Sequence, residues 1–299
     1  MTCKNCKANP VIKLSNSEIQ LCKNCFFKYF ERKVLKTITV HKLITNKDNI
    51  GVAVSGGKDS LAVLYILSKI CNKRKIKITA ILIDEGIKDY RDKTIKTAKK
   101  VCKELKIKLN IYSFKKEFGK TLDKMKKPHP CSTCGVLRRY LLNKYAKKLK
   151  ITKLATGHNL DDEAQSIIMN FFKRNIKTSA RLGPITGVID TEDFIKRIKP
   201  FHFTSEKETA TYAYLKGFIE EFKECPYSTD SYRGSIRDML NEFEVKYPGT
   251  KNNIITSFME ILPLLKKNYK SENPIKRCKT CKEPCSQEIC QACKVITSI

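Results

Sequence analysis

The stretch Asn49-Ile50-Gly51-Val52-Ala53-Val54-Ser55-Gly56-Gly57-Lys58-Asp59-Ser60-Leu61-Ala62 decides the fold. Its first half is a short apolar run that stops at two glycines, the pattern of a buried strand entering a tight turn. Residues 60–71 then continue with helical spacing. Working outward, the same alternation repeats. Residues 77–84 hold Ile78, Ala80, Ile81, Leu82 and Ile83, a second strand. Residues 91–105 carry Ile95, Ala98, Val101, Cys102 and Leu105 at helical intervals, and 108–114 alternate as a third strand. Residues 132–149 form a helix with Val136, Leu137, Tyr140, Leu141 and Tyr145 on one face; 152–156 are a fourth strand and 161–172 a further helix. Strands alternating with helices predict an α/β protein with a doubly wound parallel sheet, in which ligands bind beyond the C-terminal ends of the strands. The remainder to about residue 267 reads as mostly helical.

The loop Ser55-Gly56-Gly57-Lys58-Asp59-Ser60 lies between the first strand and its helix. Two glycines let the backbone approach a polyanion, and the helix N-terminus supplies unpaired N–H groups and a positive dipole. Lys58 adds a charge and Ser60 a hydroxyl. The spacing is not that of Walker A. It resembles the Ser-Gly-Gly-x-Asp-Ser motif of the PP-loop ATP pyrophosphatases, which hold the pyrophosphate end of ATP and transfer AMP. The bland alternative is an ordinary glycine turn. Two further segments resemble that family's nucleotide site: Ile83-Asp84, which ends the second strand, and Ala155-Thr156-Gly157-His158-Asn159-Leu160-Asp161-Asp162, which ends the fourth. Asp161 is placed to bind Mg2+ on the phosphates or to orient substrate, against a plain helix-capping role. His158 is open between nucleotide contact and turn packing.

Fourteen cysteines include five Cys-x-x-Cys pairs. Cys3/Cys6 and Cys22/Cys25 stand at one end; Cys278/Cys281 and Cys290/Cys293 at the other. Two such turns complete a tetrahedron of thiolates around Zn2+, and four ligands leave no open position, so two structural Zn2+ sites are expected. Lobes of about 30 residues cannot fold on core alone without such a staple. Cys285 is a fifth cysteine in the last lobe, outside the regular spacing. Cys71 and Cys102 lie on apolar helix faces and read as packing residues. Cys131-Ser132-Thr133-Cys134 follows Pro128-His129-Pro130, and alone it is ambiguous between redox, metal and packing roles. Cys225 lies 91 residues beyond Cys134 and meets the pair only through folding. Three thiolates suit an iron–sulfur cluster with one iron free of protein ligand, or a disulfide or persulfide pair.

The chain has 299 residues, 41% of them apolar, with 60 Lys and Arg against 30 Asp and Glu, a formal net charge of +30. Eight zinc-bound thiolates and two Zn2+ lower that only to about +26. The charge is spread through segments that keep their apolar pattern, which excludes disorder for most of the chain. The longest apolar run, 61–67, is far short of a membrane span, and residues 1–6 have no signal-peptide core. An intracellular, cytoplasmic protein with no membrane partner is expected. Surplus positive charge attracts nucleic acid through counterion release. Arg138, Arg139, Lys144, Lys147, Lys148, Lys150 and Lys153 fall in a stretch without acids, as do Lys173, Arg174, Lys177 and Arg181. Arg139, Lys147, Lys148, Lys173, Arg174, Lys177 and Arg181 are the candidate RNA contacts; for any single lysine a solvated helix face is the simpler account.

The run from Cys131 through Arg138, Arg139 and Tyr140, followed by Leu154-Ala155-Thr156-Gly157-His158-Asn159 and Asp161-Asp162-Glu163-Ala164-Gln165, resembles the TtuA-type tRNA 2-thiouridine synthetases, related to the cytosolic wobble-uridine thiolases. The resemblance spans the whole chain. It implies an N-terminal zinc finger at 1–30, a PP-loop ATP pyrophosphatase domain at 31–270 and a C-terminal zinc finger at 271–299, with Ser271-Glu272-Asn273-Pro274 as linker. It implies an ATP site at Ala53, Val54, Ser55, Gly56, Gly57, Lys58, Asp59, Ser60, Ile83, Arg138, Gly157 and Asp161, and one [4Fe-4S] cluster on Cys131, Cys134 and Cys225. With Lys58, Asp59 and Asp161, those three cysteines are the candidate catalytic residues. The implied activity is tRNA-uridine 2-sulfurtransfer: adenylation of the uracil C2 oxygen, then displacement of AMP by sulfide. Position 54 in the T-loop is favoured over wobble position 34. The implied sulfur donor is a ubiquitin-like thiocarboxylate carrier or free sulfide, and the implied assembly a homodimer. Two other PP-loop chemistries, cytidine thiolation and lysidine formation, sit badly with the terminal zinc lobes. A non-catalytic zinc-finger RNA-binding protein sits badly with the intact loop.

Overall fold

A computed structural model describes residues 2–15, 17, 19–125, 130–188, 193–219, 225–227, 231–270 and 275–298. The linker expected at 271–274, and Pro128 with His129, lie outside the described residues. The first lobe holds the antiparallel pair β1 (Ile12–Lys13) and β2 (Gln20–Leu21), then α1 (Lys23–Val40). The α/β core follows as β3 (Asn49–Ala53), α2 (Lys58–Arg74), β4 (Lys77–Asp84), α3 (Arg91–Glu104), β5 (Leu109–Ser113), α4 (Phe114–Phe118), α5 (Pro130–Lys148), β6 (Lys153–Ala155), α6 (Leu160–Phe172), α7 (Ile176–Ser179), β7 (Lys196–Ile198) and α8 (Glu206–Leu215). Helices α9 (Tyr232–Lys246) and α10 (Thr250–Asn268) precede β8 (Lys276–Arg277), β9 (Pro284–Cys285) and α11 (Gln291–Thr297).

Among the described residues the central sheet has five strands, all parallel, in the order β5-β4-β3-β6-β7. The chain runs outward from β3 to β5, then returns to the other side of β3 with β6. At β3 and β6 the connections leave in opposite directions, which opens a crevice beyond their C-terminal ends. The fifth strand was not expected. β7 reads Lys-Arg-Ile, and three residues with one apolar side chain carry no period to recognise. Its partner β6 supplies the order instead.

The domain boundary expected at residue 30 falls inside α1. Phe26, Phe30, Val34 and Ile38 recur every four residues and are buried along one stripe. Phe30 stacks on Tyr212 of α8 with ring centroids 4.3 Å apart and meets Phe201 edge-on at 5.5 Å. Lys33 Nζ donates to Glu208 of α8 at 2.8 Å. The first lobe therefore shares one core with Leu61, Leu64 and Leu67 of α2. On the opposite sheet face α5 packs Leu137, Leu141 and Tyr145 against Ile81 and Ile83, and the last lobe inserts Ala292 into the same cluster. A third core joins α6, α9 and α10 through Ala164, Ile236, Leu240, Ile255 and Phe258. Cys71 and Cys102 are buried, and burial pushes both thiols up to about 11, as suits inert packing residues. Among the described residues no helix is long and apolar enough to cross a membrane.

Phe30→Ala removes a fully buried ring from the joint between first lobe and sheet. It is expected to cost about 3–5 kcal/mol in urea unfolding followed by circular dichroism. A loss below about 1 kcal/mol would contradict a shared core.

Candidate functional site

The crevice is floored by the loop between β3 and α2. Ser60 Oγ donates to Gly57 O at 2.9 Å and accepts from Ser55 N at 3.1 Å, so the loop is folded back on itself. Gly57 N donates to Ser55 Oγ at 3.3 Å. Gly57 is also the N-cap of α2, with no side-chain cap on the first turn, which leaves amide donors aimed out of the helix. Gly56 has φ of +83°, and a Cβ there would stand 2.1 Å from Thr94 O of α3, so the loop needs glycine on both counts. Gly157, at the end of β6, meets the same first turn: a Cβ would lie 2.8 Å from Asp59 C and 2.9 Å from Ser60 N. Ala53 and Val54 lead into this loop; Ala53 pairs with Ile81 and Val54 N donates to Ile81 O at 2.8 Å, so Ile83 lies two residues further on towards the end of β4.

Lys58 Nζ lies 3.1 Å from Asp59 Oδ2 and 2.8 Å from Glu206 Oε1. Burial alone would lower its pKa, but the two carboxylates raise it, so Lys58 is a cation. Asp59 Oδ1 accepts from Thr209 Oγ1 at 2.6 Å and from Asn159 Nδ2 at 3.3 Å, tying the loop to α8 and to the β6–α6 turn. Asp161 is not the cap of α6. Asn159 is, in a reciprocal capping box with Asp162. Asp161 has both oxygens engaged: Lys251 Nζ of α10 at 2.5 Å and Glu206 N of α8 at 2.7 Å. It bolts three helices together, and a cation there would have to displace Lys251. His158 is exposed, with Nδ1 2.8 Å from Thr156 Oγ1.

Glu85 and Arg91 were not singled out by the sequence, yet they form the buried wall of this crevice. Arg91 Nη1 donates to Ser55 O at 2.7 Å, Nη2 donates to Ile83 O, and Nε stands 2.8 Å from Glu85 Oε2. Glu85 Oε1 faces Arg138 Nη1 of α5 at 3.6 Å. The available signal was position: Glu85 directly follows β4, on the ligand side of the sheet.

Beyond this wall lies the thiol site. Cys131 and Cys134 sit in the first two turns of α5, and Cys131 Sγ donates to Tyr227 O at 2.7 Å. Tyr227 is anchored by its hydroxyl to Asp123 Oδ1 at 2.8 Å, so residues 225–227 lie against the pair. Cys134 and Cys225 both pack on the Leu137 cluster, and each thiol feels a partner's charge. Burial pushes Cys134 up to about 12 and raises Cys225 as well. Neutral thiols of this kind are poor nucleophiles, whereas a metal that displaces the proton suits them. A four-iron cube is larger than a single ion, so its ligands need not converge as closely as those of one zinc.

At each end four thiols converge. The sulfurs of Cys3, Cys6, Cys22 and Cys25 lie within 4.8 Å of one another, as do those of Cys278, Cys281, Cys290 and Cys293. Backbone amides already point at sulfur: Cys290 N donates to Cys278 Sγ at 3.3 Å and Cys293 N to Cys290 Sγ at 3.3 Å. Backbone hydrogen bonds, that at Cys22 first, draw Cys3 down to about 6; those at Cys281 and Cys290 do the same for Cys278. Four sulfur donors, some held as thiolate, fit a tetrahedral metal ion. Cys285 stays outside, bonded to Gln287 O at 2.8 Å.

Of the basic residues, Arg139, Lys148, Lys173, Arg174, Lys177 and Arg181 are exposed. Lys147 instead reaches Glu283 of the last lobe at 3.4 Å. Phe171 and Phe172, 42% and 61% exposed, stand beside Lys173 and Arg174. Lys173 Nζ lies over the Tyr232 ring at 4.0 Å.

Residues 28–238 match the PP-loop domain family. The chain is 38% identical over 295 residues to a tRNA-5-methyluridine(54) 2-sulfurtransferase of Pyrococcus horikoshii, covering 98% of this chain and 93% of that protein. It is 33% identical over 318 residues to the tRNA 2-thiolation protein NcsA of Haloferax volcanii, covering 100% and 99%. Its fold matches the U34-tRNA thiolase NcsA from Methanococcus maripaludis, solved with its [4Fe-4S] cluster, with a TM-score of 0.84 and 33% identity over 100% of this chain and 96% of that one.

Gly157→Ala forces a methyl group against the Asp59–Ser60 backbone and pushes the first turn of α2 aside. ATP affinity by titration calorimetry is expected to fall by about tenfold or more, and the overpacked contact to cost about 1–3 kcal/mol of stability, read as a lowered melting temperature. Cys290→Ser is expected to lose one of two equivalents of bound zinc by elemental analysis, and Cys285→Ser none. A Cys285→Ser protein short of metal would move Cys285 into the ligand set.

Proposed function

This chain belongs to the PP-loop family of tRNA thiolation enzymes, and from that premise we propose that it activates a tRNA uridine with ATP and replaces its C2 oxygen by sulfur. The observation that carries this reading is the uncapped first turn of α2 with Lys58, at the β3/β6 switch point, one buried ion pair away from three thiols. In the activation step the uracil C2 oxygen bonds to the α-phosphorus as the bond to pyrophosphate breaks. The amides of the Gly57 turn and Lys58 hold the departing charge. ATP draws Lys58 away from Asp59 and Glu206 to reach the phosphates. Mg2+ accompanies ATP on its phosphates, with Asp59 as the loop's own carboxylate and Asp161 acting by positioning α8. Gly157 keeps the two strand ends in contact, and Ala53, Val54 and Ile83 line the approach for the base. In the second step sulfide adds to C2 and AMP leaves with the former C2 oxygen.

Cys131, Cys134 and Cys225 would hold a [4Fe-4S] cluster, which when bound supplies one iron without a protein ligand as a Lewis acid for sulfide. The raised, half-buried thiols of Cys134 and Cys225 support that over a free persulfide pair. Two Zn2+ ions would occupy the terminal four-cysteine groups with a structural role. The exposed arginines and lysines of α5 and α7 would neutralise tRNA phosphates, and Phe171 and Phe172 offer stacking surfaces for unpaired bases. A ubiquitin-like thiocarboxylate carrier or free sulfide donates the sulfur, in the cytoplasm, to a homodimer. Position 54 is the first assignment, in line with the 38% identical Pyrococcus relative. Position 34 is the second reading, favoured by the whole-chain match to the Methanococcus U34 thiolase.

Lys58→Ala is expected to abolish thiolation while tRNA affinity stays nearly intact, because the loop serves activation and not docking. Equal loss of tRNA binding would count against the assignment. Anaerobic reaction with ATP and sulfide, followed by nucleoside mass spectrometry of mapped tRNA fragments, places the sulfur: 2-thiouridine in the T-loop fragment supports position 54, and in the anticodon fragment position 34.

A further inference from the structure

The buried Glu85–Arg91 pair has a geometry that packing does not explain. Both side chains are nearly inaccessible, at 2% and 4% exposure. Interior ion pairs are costly to desolvate, and hydrophobic residues often replace them without loss. Here every connection leads to a functional segment. Arg91 touches Ser55 O in the nucleotide loop, Ile83 O at the end of β4, and Glu85. Glu85 spends its second oxygen on Arg138. Arg138 follows Cys134 by one helical turn on the same face of α5, and its charge reaches the Cys134 thiol.

The two ends of this chain of contacts differ in stiffness. At the loop end there is no slack: α3 presses Thr94 O against Gly56, and Arg91 Nη1 also bonds Thr94 Oγ1 at 3.2 Å. A planar guanidinium held at three nitrogens passes on a displacement where a flexible ammonium would absorb it. At the thiol end the contact is loose. Arg138 is 48% exposed and 3.6 Å from Glu85, so a small shift of the carboxylate can change its orientation.

We infer that the Arg91–Glu85 pair couples the nucleotide loop to the thiol site. The two are positioning residues: they carry a displacement of Ser55 on binding of a nucleoside triphosphate into the orientation of Arg138 beside Cys134. This rests on the reading of the loop as an ATP site. It makes the thiol site responsive to whether ATP is in place, so that sulfur chemistry waits for an activated substrate.

The test uses full-length, zinc-replete, iron-free protein and the β,γ-imido analogue of ATP. Alkylation of Cys134 by iodoacetamide is followed by peptide mass spectrometry with and without the analogue, and analogue affinity is measured by calorimetry. In the unaltered chain the analogue is expected to change the Cys134 rate by about fivefold or more, and in Glu85→Gln, which lies outside the expected ATP contacts and still binds it, by less than about twofold. Arg91→Lys keeps the charge but not the planar fork, and is expected to lose both the response and part of the affinity. A Glu85→Gln protein that binds the analogue and keeps the full response overturns the coupling, as does an unaltered chain that binds it with no change at Cys134. An unaltered chain that binds no analogue overturns the ATP reading itself. Glu85→Asp keeps the charge but shortens the reach to Arg138, and is expected to bind the analogue with the same loss of response, so it decides the matter if Glu85→Gln does not fold; a Glu85→Asp protein with the full response overturns the coupling.

Discussion

The whole arrangement depends on one close approach: the backbone of Gly157 against that of Asp59 and Ser60, with no room for a methyl group between them. β3 and β6 are neighbours in the sheet, and each ends in a turn that opens a helix. Only a glycine on one side lets those two turns touch. Once they do, Asn159 reaches Asp59, Asp59 reaches Thr209, and α8 is drawn over the loop. The uncapped amides of α2 then face a crevice walled on several sides, where a polyanion finds donors already oriented.

Charge inside the molecule is used to join elements more than to stabilise any one of them. Lys251 pins α10 to Asp161, Lys33 pins α1 to Glu208, and Lys199 donates to Glu163 at 2.6 Å behind α6. Burial and nearby Lys199 hold His202 well below its ordinary pKa, so it packs beside Glu163 as an uncharged ring. Each of these partners, if removed, leaves a buried charge without compensation, which is why such pairs fix an arrangement even when their net stabilisation is small. The same lysine-rich composition that gives the surface its attraction for phosphate therefore also supplies internal bolts.

The terminal lobes are not appendages. Cys3 and Cys22 share a core with α2, and Ala292 of α11 sits in the cluster that supports α5. Tyr140 on α5 is within reach of the Cys281 sulfur, and Glu283 accepts from Lys147 and Asn143. A metal closing the last lobe would therefore brace the helix that carries Cys131 and Cys134. The resemblance in sequence treats the zinc lobes and the thiol site as separate motifs; packing makes one a support for the other.

The amino-acid sequence by itself determined what depends on local order. Apolar period and glycine placement specify β3, α2, β4, α3 and β5, because burial of one face and the freedom of φ are properties of neighbouring residues. Cysteine spacing specified both four-thiol groups for the same reason. The tertiary structure alone decided what depends on partners distant in the chain. β7 exists because β6 offers an edge, and α1 crosses the expected lobe boundary because Tyr212 and Phe201 wait for Phe30. Asp161, legible as a site residue, is claimed by Lys251 ninety positions away. Arg91 and Glu85 look like ordinary surface charges in a basic sequence until the sheet brings Ser55, Ile83 and Arg138 around them. A charge's role is set by the charges it is buried with, and those are chosen by topology.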